Sequence, residues 1–389
     1  MTRSKSIVFF LSYFLYFLTF WMVLAYLPLI LKTYGFTDQQ IGFAIGLGSL
    51  SSLFLVLPFG VFSDYFSPKR TLNLGAICFC VYFLLLIFLK DFWTVCAAIL
   101  LGGVGAASIR VISISLYLKL IDDKGRGKKV AFLHLGGYLG FGSGPLIGGY
   151  LYEAFGATSM MTLAFVLSML IVLLTLFIED APPVVFSFKD YKKDVKEPNA
   201  LFLIALVFIL GTHFGAEQST ISLFMKEVVG LQKKEIGLVF FALGIWMSIL
   251  VPFAGILMDR KHRIFFLLLL GLIISSSFQF LTPFATTLGG LLVIRMIHTL
   301  GDTLAILESD VLTAQFFPAA RLGGNSGLLF CVRTLAIFAF AAFSGWLNQT
   351  WGYKMPFFVN GIMVFGFSLA AIYYILRRLR HAPLPAGGR

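Results

Sequence analysis

Most of the ionisable residues inside apolar stretches of this chain stand in its second half, and their spacing gives them a shared chemistry. His213 and Glu217 are four apart and so lie on one face of a helix. At about 100° per residue, Arg295, His298, Asp302 and Asp310 fall within an arc of about 120° on another helix, from which Glu308 points away. Buried charges are costly in a bilayer and are retained where they pair or work. Asp302 lies near the middle of its apolar run, and Arg333 near the middle of the next. A pair between them would relieve the burial cost of both charges. Asp302 could then bind and release a proton as its surroundings alternate between wet and dry, assisted by His298, whose charge changes near neutral pH. A permanent Asp302–Arg333 pair that only holds two helices together is the structural alternative. Glu217 is a further expected proton or solute contact, or a partner for Arg295.

The first half holds fewer such groups, Arg110 and His134. No acid stands at a similar depth beside Arg110. Its guanidinium suits a carboxylate or phosphate, which it grips with two parallel hydrogen bonds. Snorkelling, or pairing across to Glu308, are the alternatives.

These residues must be positioned by membrane helices. Hydrophobic residues make up 59% of the 389 and charged ones 12%, far from a soluble domain. The apolar sequence divides into twelve runs long enough to cross a bilayer: residues 7–31, 39–63, 71–89, 92–119, 129–153, 158–178, 200–225, 235–258, 264–283, 287–316, 323–348 and 354–376, numbered here as spans 1 to 12. Alternating ten-residue segments, the mark of a membrane barrel, are absent. The first run is too long for a cleaved leader and is expected to remain as a helix. Four cysteines, Cys78, Cys80, Cys96 and Cys331, sit within spans without ligand spacing and read as small buried hydrophobes.

The net charge of +12 is topology rather than nucleic-acid binding. With the N-terminus inside, 21 of the 30 Lys and Arg fall in or beside cytoplasmic segments and only six outside: Lys32, Lys90, Lys226, Lys233, Lys234 and Lys354. That bias places both termini in the cytoplasm. Residues 179–198 form the one long polar connection. They are expected to link an N-terminal six-helix bundle (1–178) to a C-terminal one (199–380), with residues 381–389 as a disordered tail.

The halves repeat. Ile41-Gly42 and Gly60 to Asp64 recur 195 residues on as Ile236-Gly237 and Gly255 to Asp259, while Gly105, Gly149 and Gly156 recur 196 residues on as Gly301, Gly345 and Gly352. Duplicated halves that rock around a site at their interface are the architecture of secondary transporters. Here the sequence resembles the major facilitator superfamily over essentially its whole length. Its Gly-x-x-x-Asp loop motif with a following basic cluster stands as Gly60, Asp64, Lys69 and Arg70, and again as Gly255, Asp259, Arg260 and Arg263. In the first copy Tyr65 to Pro68 replace the usual basic and glycine positions. Span 5 carries Gly140, Gly144, Pro145, Gly148 and Gly149 in the pattern associated with proton-coupled antiporters. In span 4 the expected arginine is Ala98, so its proton-transfer role does not carry over.

The resemblance implies an all-α membrane fold with twelve helices in two pseudo-symmetric six-helix bundles. Spans 1, 4, 7 and 10 would line a cavity bearing Arg110, Trp21, His213 and Arg295. The loop residues, with Asp310, would form a cytoplasmic latch. The expected function is secondary transport of a small organic solute by proton antiport. Uptake by proton symport is the alternative, and a non-transporting sensor or intramembrane enzyme is a reading of another class. The chain is expected to act as a monomer in the inner membrane, with no cofactor, metal or nucleic acid and no catalytic residues. No nucleotide-binding loop is visible.

Overall fold

The computed structural model describes residues 3–51, 53, 67–120, 126–180, 193–194, 196–258, 264–317 and 322–381. These form helices α1 (Arg3–Leu24), α2 (Leu27–Thr33), α3 (Asp38–Leu50), α4 (Pro68–Phe88), α5 (Phe92–Leu120) and α6 (Arg126–Leu176). From residue 198 on come α7 (Pro198–Glu227), α8 (Lys233–Met258), α9 (Ile264–Leu281), α10 (Leu288–Phe316), α11 (Leu322–Trp351) and α12 (Met355–His381). Ten described stretches are long and apolar enough to cross a membrane.

The expected spans map onto these helices with one local correction. Span 1 is broken into α1 and α2, because Pro28 has no N–H for the Leu24 carbonyl and its ring crowds that turn. Spans 5 and 6 stand as two helices within α6, parted as expected by a kink at Gly156, whose φ of 82° is non-helical. Counting α6 as two crossings and α3 as the described part of span 2 recovers twelve.

Packing follows the repeat. α1 lies along α6 as α7 lies along α11, and α4 along α5 as α9 along α10. The two halves meet at two equivalent seams, α6 against α8 and α3 against α11. Backbone detail follows it as well. Positive φ among the described residues occurs at four glycines, which form the repeat pairs Gly35 with Gly230 and Gly156 with Gly352. Only glycine takes that conformation without strain, so the duplicated chain keeps it at duplicated turns. Each seam also needs a glycine. A Cβ on Gly149 would lie 2.6 Å from the Lys233 carbonyl, and one on Gly345 2.6 Å from the Asp38 carbonyl. Lys233 and Asp38 are themselves repeat partners that open α8 and α3.

The span 5 motif sits where three helices meet. Gly140, Gly144 and Gly148 let α6 approach Phe14, Leu18 and Met22 of α1, while Gly149 faces Lys233 of the other half. The Pro145 carbonyl accepts a hydrogen bond from Tyr26 Oη at 2.8 Å.

Candidate functional site

The ionisable residues of α7 and α10 converge in the C-terminal half. His213, His298, Arg295 and Asp302 are buried, and Glu217 is nearly so. Arg295 pairs with Glu217 through Nη2 and donates from Nη1 to Gln279 Oε1 at 3.1 Å. Asp302 accepts from Ser275 Oγ at 2.6 Å, and its other oxygen lies 3.1 Å from His298 Nε2 and 3.4 Å from His213 Nε2. Glu217 Oε1 lies 3.1 Å from His298 Nε2 and 3.4 Å from His213 Nε2. The two imidazole Nε2 atoms are 3.0 Å apart.

The partners of the far ring nitrogens decide where the protons sit. His298 Nδ1 is 2.9 Å from the Ser275 carbonyl, which can only accept, so that nitrogen carries its proton. Thr212 donates to the Ile209 carbonyl and therefore accepts from Asn360 Nδ2. That turns Asn360 Oδ1 toward His213 Nδ1 at 3.2 Å, and this nitrogen must donate too. Two neutral histidines would then aim bare Nε2 lone pairs at each other and at two carboxylates. The arrangement holds together when a proton is shared between the rings. With one such proton the charges of Arg295, Glu217, Asp302 and the histidine pair sum to zero.

His213, Glu217, His298 and Asp302 also present donor atoms within 4.8 Å of one another, a set that could take a metal ion. Glu217 Oε1 is already engaged by the Arg295 guanidinium, which would repel a divalent ion beside it. The contacts at 3.0–3.1 Å are hydrogen-bond lengths. Protons suit this cluster better than a metal.

The expected Asp302–Arg333 pair is replaced. Among the described residues, Ser275, His213 and His298 hold Asp302, whereas Arg333 is half-buried on α11 with an interaction of its own. Equal depth on neighbouring helices did not fix equal azimuth. Ser275, Gln279 and Asn360 were missed because uncharged polar residues are common in membrane helices. The signal that could have found Asn360 is its lone amide in the apolar run of span 12.

In the N-terminal half, Arg110 is exposed, with its guanidinium carbon 5.8 Å from the Phe330 ring of α11. Trp21 packs edge-on against Phe141 at 4.8 Å and toward Phe240 of the other half at 6.3 Å. Of the expected cytoplasmic latch, Lys69 Nζ donates to the Leu176 carbonyl at 2.9 Å, and Ser67 and the Lys69 N–H bond Asp180. Lys69 therefore ties α4 to the end of α6 within its own half, while Arg70 is exposed. Gly60, Asp64, Asp259, Arg260 and Arg263 lie outside the described residues, as do the surroundings of Gly255 and the side chain of Asp310.

Sequence reasoning also missed a latch at the opposite end. Lys32 Nζ donates to Asp38 Oδ1 at 2.7 Å and also to Tyr353 Oη, and Tyr353 Oη donates to Asp38 Oδ1 at 3.1 Å. Burial, ahead of its neighbours' charges, pushes the Tyr353 phenol up, so it stays a donor. Nearby, Tyr26 donates to the Lys233 carbonyl at 3.0 Å, Gln349 accepts from the Gln39 N–H at 3.2 Å, and Glu153 accepts from the Lys234 N–H at 3.1 Å. Apart from Lys32–Asp38, which lies within one half, these contacts tie one half to the other.

Comparison with known proteins agrees with this architecture. The family model of the Major Facilitator Superfamily matches residues 9–267 and 203–389. An uncharacterised MFS-type transporter of Methanocaldococcus jannaschii is 24% identical over 334 residues, covering 82% of this chain and 85% of that protein. A bacterial homologue of the human lysosomal transporter Spinster, solved inward-facing and unoccupied, superposes with a TM-score of 0.79 at 12% identity over 100% of both chains. The human organic anion transporter MFSD10 superposes with a TM-score of 0.71 at 16% identity, covering 95% of this chain and 99% of that one. The chain thus belongs to the Major Facilitator Superfamily and is a multi-pass membrane transporter.

Proposed function

We propose that the protein is a secondary active transporter that couples movement of a small organic solute to protons held by the α7–α10 cluster. The observation that carries this reading is the pair of facing Nε2 atoms, 3.0 Å apart and flanked by Glu217 and Asp302. Such a cluster is neutral with one proton and anionic without it. A change in its hydration between conformations would change its hold on that proton. Asp302, His298, His213 and Glu217 are the proton-handling groups, and Arg295 fixes Glu217. Arg333 takes no part in the described contacts of Asp302.

Alternating access would proceed by rocking of residues 1–178 against 199–380 about the two seams, with 179–198 as the connection. The Lys32–Asp38–Tyr353 contacts then close one end, which the charge bias makes the external one. The loop motifs after spans 2 and 8 serve the cytoplasmic end. Export by antiport is the leading direction, on the span 5 motif at the α1–α6–α8 junction. Uptake by symport is the second reading, favoured by the grouping of acid, histidine and arginine in one half. A monomer in the plasma membrane suffices for either.

Purified protein in liposomes loaded with a pH-sensitive dye tests the reading. Addition of transported solute should move protons without ATP, inward or outward according to the mode. Solute movement with no accompanying proton flux would remove the coupling role.

A further inference from the structure

We propose that Arg110 anchors the charged end of the solute, and that the solute is a monoanionic carboxylate with a flat apolar body. The inference rests on the transporter reading above and names its substrate class.

Arg110 stands in an unusual position for an intramembrane cation. It lies within a stretch of α5 long and apolar enough to span the membrane, four residues, about 6 Å, short of that stretch's far end. Among the described residues no carboxylate pairs with it. A guanidinium within an apolar span is costly unless it is paired or wet. It does not escape toward lipid. Its charge is felt by Tyr13 and Tyr16 of α1 and by His134 of α6, and it stands over the Phe330 ring of α11, in the other half. Exposed side chains hemmed in by both halves face the space between them, so Arg110 looks into the solute path.

The surroundings choose the ligand. A planar guanidinium with free N–H groups matches a carboxylate in a forked, charge-assisted pair. The aromatic face of Phe330, 5.8 Å from the guanidinium carbon, favours a flat apolar body beside it. The charge count favours a monoanion. Arg295 is committed to Glu217 and Gln279, and Arg333 has an interaction of its own, which leaves Arg110 as the intramembrane arginine without a carboxylate among the described residues. A phosphate dianion would call for a second cation. By the 196-residue repeat, Asp302 corresponds to position 106, so Arg110 lies four residues, about 6 Å, deeper than Asp302. The anion site therefore lies about one helical turn from the level of the proton cluster, in the opposite half.

Binding of benzoate and 2-naphthoate to the purified full chain, set against the neutral isosteres benzamide and 2-naphthamide, tests this by calorimetry. The carboxylates should bind about tenfold or more tightly than their amides. Arg110→Gln should erase that preference while leaving amide binding and elution volume unchanged, and Arg110→Lys should keep part of it. If Arg110→Gln does not fold, the isostere comparison on the natural protein and Arg110→Lys decide the matter. Equal affinity for acid and amide, unchanged acid binding in Arg110→Gln, or no binding by either carboxylate would overturn the proposal. The two readings fail separately. Other solutes moving protons without arylcarboxylate binding would sink only the substrate class. Arg110-dependent binding without any proton movement would sink only the coupling.

Discussion

His213 and His298 face each other through their Nε2 atoms at 3.0 Å, while their Nδ1 atoms are fixed as donors to Asn360 Oδ1 and the Ser275 carbonyl. Neither ring can turn its lone pair away without breaking a buried hydrogen bond. The geometry for a shared proton is thus built into the packing of α7, α9, α10 and α12 rather than into any one residue.

That geometry sets a pH dependence. Occupancy of the shared site falls as pH rises, so solute-driven proton flux should fall with it. His298→Gln removes one ring nitrogen from the pair and should flatten the profile. Flux measured in liposomes from acid to alkaline pH checks this, and an unchanged profile in His298→Gln would place the proton elsewhere.

Arg333 offers a contrasting expectation. Because Asp302 is held by Ser275, His213 and His298, Arg333→Gln should leave the pH profile of transport where it is. A displaced profile would restore the Asp302–Arg333 pairing that depth alone suggested.

The latch at Lys32 can be loosened by one atom. Tyr353→Phe loses the hydroxyl that donates to Asp38 and accepts from Lys32. At about 1 kcal/mol, the open-to-closed ratio at that end should rise roughly fivefold. Labelling of a cysteine introduced at Gln349 should speed up by a similar factor, and an unchanged rate would show that the seam is closed by other contacts.

The seam itself should resist larger residues. Gly345→Val puts a side chain against the Asp38 carbonyl and should cost about 1–3 kcal/mol through overpacking. The midpoint of thermal unfolding should fall, and Gly149→Val should behave alike because the repeat places it against Lys233. Wild-type midpoints in both would contradict the packing described.

Orientation rests on charge bias. A cysteine at Lys233 should react with an impermeant reagent from outside, and one at Lys189 should not. Reaction of both from outside would end the topology.

Much of this was legible in the sequence. Runs of about 20 apolar residues fix the crossings, and the recurrence of Gly156 at Gly352 carries one duplicated turn, while the pairing of Gly35 with Gly230 emerged only from the backbone. His213, Glu217, Arg295, His298 and Asp302 announce themselves because charge within apolar sequence is costly. Their partners do not. Which face of α9 meets α10 depends on tertiary packing, so Ser275 and Gln279 could not be read, and Arg333 was matched by depth without azimuth. The Lys32–Asp38–Tyr353 latch joins residues more than 300 positions apart, with no local pattern to mark it.

The most direct test of the central claim is proton flux through Asp302→Asn in liposomes, measured beside solute exchange. The amide keeps the shape of the side chain but can neither take up nor lose the charge that holds the shared proton. Solute-driven proton movement should be abolished while exchange of solute across the membrane persists. Wild-type proton flux in Asp302→Asn would contradict the account and move the search for the coupling acid to Glu217.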